Sequence, residues 1–260
     1  MIVWALLLIG ISTSSAVQVT FTADWAAGAG WRLRCAWTVP RGDRLQSVKM
    51  YRGGVLFKIY RPEIHASSIE EEFRPARGGT WMRLSCRDQP PAGHCDLLVT
   101  LVSPPTAPEQ YTCEVSGERP KFLIVTRTLE VEPYVPSNDA AIQVRRSAGE
   151  SARVMLNCTA SGHPAPNLTW TVAQTKVQAD FTGQAWNATT KLMHSWSSLA
   201  LTAKPEPLSV ACTPEQRRQS ELVLGPPAEY TLEVAADAGG RVVDEFRIAV
   251  ALLALLYVAR

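Results

Sequence analysis

The spacing of the six cysteines constrains this 260-residue chain more than any other feature of its sequence. Two pairs are far apart: 78 residues separate Cys35 from Cys113, and 54 separate Cys158 from Cys212. Gaps of this size are typical of a disulfide that joins the two sheets of a β-sandwich. The remaining pair, Cys86 and Cys95, is nine residues apart and could close a local turn.

Alternating apolar residues around the first cysteine of each distant pair support the sandwich interpretation. Around each of these cysteines, apolar residues recur at every second position, as in strands with one buried face. The apolar residues are Trp31, Leu33 and Trp37 around Cys35, and Val154 and Leu156 before Cys158. Tyr111 precedes Cys113 by two residues and Trp170 follows Cys158 by twelve, which are typical immunoglobulin positions. The sequence therefore predicts an all-β chain of two tandem immunoglobulin-like β-sandwiches, the first V-type and the second C/I-type.

The first sandwich lacks the tryptophan expected on its third strand and has Met50 there. Because Met is smaller than Trp, another side chain must fill the space. Trp37 shares a face with Cys35, so we expect Trp37 to be buried.

Six cysteines allow fifteen sets of pairings. The immunoglobulin pattern leaves Cys35–Cys113, Cys158–Cys212 and Cys86–Cys95. His94 lies beside Cys95, but no second ligand pair has the spacing of a zinc site. We therefore expect disulfides and no metal.

Each end of the chain has the features of a processing signal. Residues 1–16 are uncharged and end in small residues, as in a signal peptide. The apolar run near the C-terminus, in residues 237–260, is shorter than a membrane-spanning helix and follows small residues and a polar spacer. This resembles a GPI-attachment signal, which makes a lipid anchor in the membrane the favoured prediction; a final strand, a truncated span or a secreted protein remain alternatives.

Between the ends, we expect a V-type domain at 17–131, a semi-rigid linker at 132–141 and a C/I-type domain at 142–236. The second domain has three sequons, which predict N-linked glycans at Asn157, Asn167 and Asn187. The first domain has none.

Charge and motifs exclude several classes of function. The chain has 26 basic and 24 acidic residues, so no strong field for nucleic acid is expected. No nucleophile elbow, metalloprotease motif, phosphate-binding loop or paired-carboxylate motif is present. The four histidines are scattered and are expected in surface or loop positions. We therefore predict a binding protein without enzymatic activity or cofactor.

Five stretches together resemble the beaten path family of arthropod neuronal immunoglobulin proteins. LQSVKMYRGGVLFKIYRPE is similar to the family pattern LYSVKWYK…EFYRYxPKE, and CEVSGERPKFLIVT is similar to CEVSxExPSFxTV. NCTASGHPAPNLTWTVAQTKV, followed by SWSSLALT and LSVACT, resembles the second domain of that family. The departures are Met50 for Trp, Lys58-Ile59 for Tyr-Arg, and the Cys86–Cys95 pair, the last two of which are expected near the binding face.

The resemblance implies a secreted or membrane-attached protein that binds a sidestep-like immunoglobulin receptor in axon guidance or synaptic partner recognition. V-type domains commonly bind through the sheet of strands G, F, C and C′. On that sheet we expect the partner-binding residues to be Lys49, Tyr51, Phe57, Tyr60, Glu114 and Phe122. Phe57 and Phe122 could instead be core residues, with Phe122 at the start of strand G.

Arg41-Gly42-Asp43 is the tripeptide of many integrin ligands, so an integrin ligand is one alternative function. Its position between two predicted strands also fits an ordinary turn, in which Gly42 supplies backbone freedom. Self-adhesion and a soluble decoy are further alternatives.

Overall fold

A computed structural model describes residues 16–74, 80–118, 121–146, 153–202 and 206–233. The predicted leader, apart from Ala16, and the whole predicted lipid-anchor tail lie outside these ranges. Within them, no helix has the length and apolar character needed to cross a membrane.

The described residues form eighteen strands and one short helix. In chain order these are β1 (Gln18–Ala26), β2 (Gly30–Thr38), β3 (Leu45–Arg52), β4 (Val55–Tyr60), α1 (Pro62–His65), β5 (Ser68–Phe73), β6 (Trp81–Gln89), β7 (Ala92–Thr100), β8 (Glu109–Gly117), β9 (Ile124–Val131), β10 (Ala141–Arg146), β11 (Arg153–Gly162), β12 (Asn167–Val172), β13 (Thr175–Val177), β14 (Phe181–Asn187), β15 (Leu192–Thr202), β16 (Leu208–Arg218), β17 (Glu221–Leu224) and β18 (Ala228–Leu232).

Strands β1 to β9 form the first sandwich, from one sheet of order β1-β2-β7-β6-β5 and a second of order β4-β3-β8-β9. Their inward residues make one apolar core, as the period-two pattern predicts. Met50 lies in this core, and Trp37 is only 2% exposed, as expected. The Trp37 indole donates a hydrogen bond of 3.4 Å to the carboxylate of Asp88.

The first sandwich departs from a V-type domain at β5. In a V-type domain the strand after C′ extends the sheet that contains it. Here β5 follows α1 and pairs with β6, at the edge of the other sheet. Side chains nevertheless connect β4 to β5 at that edge of the sandwich. Lys58 forms an ion pair with Glu71, and the Phe57 ring contacts the Phe73 ring.

All six cysteines are paired as the immunoglobulin pattern predicts. The Cys35–Cys113 disulfide joins β2 to β8 across the two sheets, and the Cys86–Cys95 disulfide joins β6 and β7 within one sheet. The expectation that this second disulfide lies near the G-F-C-C′ face is wrong. Cys86 and Cys95 are buried and face the core from the opposite sheet. Side chains alternate between the two faces of a strand, so the residues next to each cysteine point outward.

Strands β10 to β18 form the second sandwich, from sheets of order β10-β11-β15-β14 and β13-β12-β16-β17, with β18 also paired to β16. Trp170 is fully buried in its core, and its indole donates a hydrogen bond of 2.9 Å to Ser197 Oγ. The Cys158–Cys212 disulfide crosses between the sheets. Strands β17 and β18 are separated by Gly225-Pro226-Pro227, where proline cannot donate to a ladder.

The predicted linker packs along the second sandwich. Val135 pairs with His163, and the buried side chain of Gln216 bonds the backbone of Val135, Ser137 and Pro164. His163 also donates from Nε2 to the carbonyl oxygen of Pro105 in the first sandwich, at 2.9 Å. These contacts fix the junction between the two sandwiches.

Candidate functional site

The candidate site is the outer face of the β4-β3-β8-β9 sheet, which we call the recognition face. Register places two rows of side chains across it: Leu56, Tyr51, Thr112 and Thr128 in one, and Ile59, Lys49, Glu114 and Thr126 in the other, with Ile124 beyond them. The inward neighbours Val48 and Met50 are buried, which confirms that β3 alternates as predicted.

Lys49, Tyr51 and Glu114 form one hydrogen-bonded group at the centre of this face. Lys49 Nζ lies 2.6 Å from Glu114 Oε1, and the Tyr51 hydroxyl donates to Glu114 Oε2 at 3.2 Å. Glu114 therefore orients both partners. The hydrogen bond to Glu114 is the main cause that raises the pKa of Lys49. Partial burial, followed by the charge of Glu114, raises the pKa of Tyr51.

The structure separates the other three predicted binding residues from this group. Tyr60 is 1% exposed, so its prediction as a partner-binding residue is wrong. Its ring lies in the core and its hydroxyl donates to the carbonyl oxygen of Ala66 at 3.0 Å. Phe57 is half-buried, packs against the core and contacts the ring of Phe73. Phe122 is exposed, but it lies in the loop before β9 rather than at the start of that strand.

Three apolar residues of the recognition face were not among the predicted partner-binding residues, although Ile59 was expected near the binding face: Leu56, Ile59 and Ile124. The register between β3 and β4 shifts after Met50, so Leu56 and Ile59 both face outward although they are three residues apart. A period-two pattern cannot identify such a pair. Ile124 is 64% exposed. Its outward position follows from its pairing with Ser116, which lies on the outer side of β8.

The Arg41-Gly42-Asp43 tripeptide is a tight turn with its acid turned inward. The Asp43 amide donates to the Pro40 carbonyl oxygen at 3.0 Å, and Gly42 has a φ of 82°. A positive φ at this position of a four-residue turn favours glycine. Asp43 is 8% exposed, and its Oδ1 accepts the Arg44 amide at 2.8 Å. This geometry does not present the carboxylate to a partner.

The predicted glycosylation residues lie on the second sandwich. Asn167 and Asn187 are exposed at the start of β12 and the end of β14. Asn157 is half-buried on the outer side of β11, where its Oδ1 accepts a hydrogen bond of 3.1 Å from Ser198. Asn187 Oδ1 accepts the amides of Thr189 and Thr190.

The four histidines lie on separate parts of the fold: His65 in α1, His94 on β7, His163 after β11 and His194 on β15. No group of three metal-ligating side chains occurs in the part of the chain that the structure describes. His163 lies in the connection between β11 and β12, a loop position as expected, but it is only 7% exposed. Burial lowers the pKa of His163. Its role is the contact with Pro105 described above.

Comparisons with known proteins give partial matches. No protein-family model matches the chain. Over 95 residues, or 35% of the chain, it is 30% identical to the mouse basal cell adhesion molecule, and the match spans 15% of that protein's length. Among solved structures, bovine butyrophilin is 12% identical with a TM-score of 0.38, over 85% of this chain and 99% of that one. A titin segment is 15% identical with a TM-score of 0.39, over 85% of this chain and 65% of that one.

The fold, the three disulfides and the adhesion-molecule match support the same coarse description. Structural disulfides form in oxidising compartments such as the secretory pathway and the cell surface. The chain thus has an immunoglobulin-type fold with three disulfides, and 95 of its residues are similar to part of a cell adhesion molecule.

Proposed function

We propose that this chain is a recognition protein that binds another immunoglobulin-superfamily protein through the recognition face of its first sandwich. The observation that carries the proposal is the arrangement of Lys49, Tyr51 and Glu114 between exposed apolar side chains. Interfaces commonly combine a central aromatic or charged anchor with surrounding apolar contacts.

The apolar residues around the charged group make the face suitable for a protein partner. Leu56 is 42% exposed and lies beside Tyr51, and Ile124 is 64% exposed on β9. Phe122 extends the same edge from the neighbouring loop and is 56% exposed. Burying these side chains against a partner would remove apolar area from water, which favours association.

The absence of asparagine from residues 17–131 keeps this surface free of N-linked glycans. The three sequons all lie in the second domain, where we propose that glycans are attached. A glycan-free first domain leaves its sheet faces accessible to another protein.

The resemblance to the beaten path family supports a sidestep-like partner and a role in axon guidance or synaptic partner recognition. The family pattern has Tyr-Arg where this chain has Lys58-Ile59. Ile59 lies on the recognition face, whereas the Lys58 side chain contacts Glu71 on β5. We therefore propose that the choice of partner differs from that of family members with arginine at this position. Attachment by a lipid anchor remains part of the proposal.

A binding screen of the secreted ectodomain, residues 17–236, tests the proposal. It would be presented to sidestep-like ectodomains and to itself. Tyr51→Ala should abolish the binding seen with the unmodified protein, whereas Tyr51→Phe, which keeps the ring, should retain part of it. Trp81→Ala is the matched control, because Trp81 is an exposed aromatic residue on the opposite sheet.

Each outcome of the screen has a distinct meaning. Binding that Tyr51→Ala and Trp81→Ala leave equally intact would place the interface elsewhere. Binding only to itself would favour self-adhesion over a second protein. No binding to any immunoglobulin ectodomain would contradict the proposed partner class.

A further inference from the structure

We propose that the outer face of the other sheet of the first sandwich binds a sulfated polysaccharide. We call this surface the basic face and define it by five residues on β2, β6 and β7: Arg32, Arg34, Arg83, Arg87 and His94. It lies on the opposite side of the sandwich from the recognition face, so the inference is independent of the proposed protein partner.

The register of the three central strands gathers these side chains. Leu98 on β7 lies between Arg32 and Arg83, and His94 on the same strand is paired with Arg87. All four arginines are exposed, whereas the residues that alternate with them are buried in the core. The arginines therefore point to solvent because the sheet must bury its other face.

Three of the arginines have no partner in the described part of the chain. Arg34 forms an ion pair with Asp96 at 2.9 Å, and His94 lies 3.8 Å from the same carboxylate. By contrast, no hydrogen bond, ion pair or ring contact with a described residue involves the side chains of Arg32, Arg83 or Arg87. Their guanidinium groups are therefore available to an external anion.

The acids on this face lie mainly at its two edges. Asp24 on β1 is a register neighbour of Arg32, and Glu72 on β5 is a register neighbour of Arg83. Glu70 also lies on β5, and neither it nor the other two edge acids forms an ion pair with an arginine of the face. The centre of the face, formed by β2, β7 and β6, thus has an excess of positive charge.

A shallow cavity of about 300 Å³ marks one end of the basic face. Its lining consists of Arg34, Ala36, Arg87, Gln89, Ala92, Gly93 and His94. The small residues leave space between the two arginines. Gly93 cannot be larger, because a Cβ there would lie 2.4 Å from the Trp37 ring. This requirement for glycine comes from the core side of β7, because Gly93 is paired with Trp37 and Asp88, which are both buried.

The spacing of the arginines fits a polymer with repeated anionic groups better than a single small anion. Alternate strands of a sheet are about 10 Å apart, so Arg32 and Arg83 lie on either side of β7 at about that distance. Guanidinium groups bind oxyanions in a bidentate manner and are weakly hydrated. A row of such groups along a sheet would contact successive sulfates of one chain.

The compartment favours a sulfated polysaccharide over other polyanions. The three disulfides indicate an oxidising environment, where extracellular polysaccharides are present and nucleic acids and the anionic inner membrane leaflet are not the expected partners. Because residues 17–131 contain no asparagine, no N-linked glycan of this sandwich can cover the face.

The test uses the full chain, purified from a secretory host, with heparin as the probe. The unmodified protein should stay bound to immobilised heparin above about 0.15 M salt, where exposed charges are already largely screened. The triple variant Arg32→Gln, Arg83→Gln, Arg87→Gln should lower the affinity at least about tenfold, as expected for three exposed charge contacts acting together. The matched control replaces Arg145, Arg146 and Arg153, which are exposed on the second sandwich, by Gln.

The specificity of binding is tested with three other probes: desulfated heparin, DNA and vesicles containing phosphatidylserine. Thermal unfolding verifies that each variant is folded. Loss of heparin binding only in the basic-face variant, with weak binding to the three other probes, supports the inference. Elution of the unmodified chain at or below about 0.15 M salt would overturn it. Equal losses in the two triple variants, or equal binding to desulfated heparin, DNA or vesicles, would also overturn it.

Discussion

Lys49 on β3 and Glu114 on β8 are register neighbours whose side chains form an ion pair of 2.6 Å on the recognition face. The Lys49 side chain is 30% exposed and that of Glu114 is 19% exposed, so the pair is partly shielded from solvent. Because Tyr51 bonds the second oxygen of Glu114, all three side chains are held in place before any partner arrives. Such preorganisation reduces the entropy lost on binding.

Exchanging the two charges should separate folding from binding. In the double variant Lys49→Glu, Glu114→Lys the ion pair can form in the opposite direction, so we expect the free energy of unfolding to change by less than about 1 kcal/mol. Binding to a partner should fall by at least about tenfold, because complementary charges would then face like charges. Denaturant unfolding and ectodomain binding measure the two effects. A variant that binds normally would show that the face does not contact the partner.

Tyr60 should make the first sandwich sensitive to alkaline pH. Burial raises the pKa of Tyr60 to about 12, with a smaller contribution from the charge of Asp88. The neutral phenol is therefore favoured in the folded state. Its contribution to stability is complete below the unfolded pKa of about 10 and is lost as the pH rises from there through about 12.

Tyr60→Phe provides the measurement. At pH 8 the variant should lose about 1 kcal/mol of unfolding free energy, because the hydrogen bond to the Ala66 carbonyl is absent. This difference should shrink as denaturant unfolding is repeated at increasing pH above about 10. A difference that stays constant up to pH 11 would contradict the buried, neutral phenol.

Much of the fold can be predicted from the sequence because two local signals agree. Alternation identifies the buried face of each regular strand, and the cysteines indicate which strands face each other across the core. Lys49 and Tyr51 could be placed outside because β3 alternates regularly beside β8. The placement of β5 could not be predicted, since an alternating strand can pair at the edge of either sheet.

The errors at the candidate site have one main physical cause. The register shift opposite Met50 adds a residue to β4, so the alternation before the shift does not continue after it. Tyr60 consequently lies in the core, whereas Leu56 and Ile59 face outward. The burial of Asp43 depends on the turn that precedes β3, and a three-residue motif does not encode the direction of its side chains.

His163 should make the junction between the sandwiches sensitive to acid. Burial lowers the pKa of His163, so the neutral ring is favoured in the folded state. Protonation would place a second N–H at Nδ1, which is buried and has no hydrogen-bond partner in the described part of the chain. The stabilising contribution is therefore complete above the unfolded pKa of about 6.5 and is lost as the pH falls through the folded pKa.

We expect the unmodified chain to lose unfolding free energy between pH 7.5 and pH 5 relative to His163→Gln. The glutamine amide can still donate toward the Pro105 carbonyl oxygen but does not titrate in this range. Paired denaturant titrations at the two pH values measure the difference. Identical pH dependence in the two proteins would show that His163 does not couple the junction to acid.

The Arg41-Gly42-Asp43 turn should matter for stability and not for cell attachment. Ala at position 42 would require a residue with a Cβ to adopt a φ of 82°, although no atom obstructs the space around it. Gly42→Ala should therefore cost about 1 kcal/mol of unfolding free energy, whereas Arg41→Ala, at an exposed position, should change it by less than about 0.5 kcal/mol.

Because Asp43 is turned inward, integrin-bearing cells should attach equally to surfaces coated with the unmodified chain and with Arg41→Ala. Attachment that requires Arg41 would instead show that the turn opens to present the tripeptide, and would restore an integrin-ligand function.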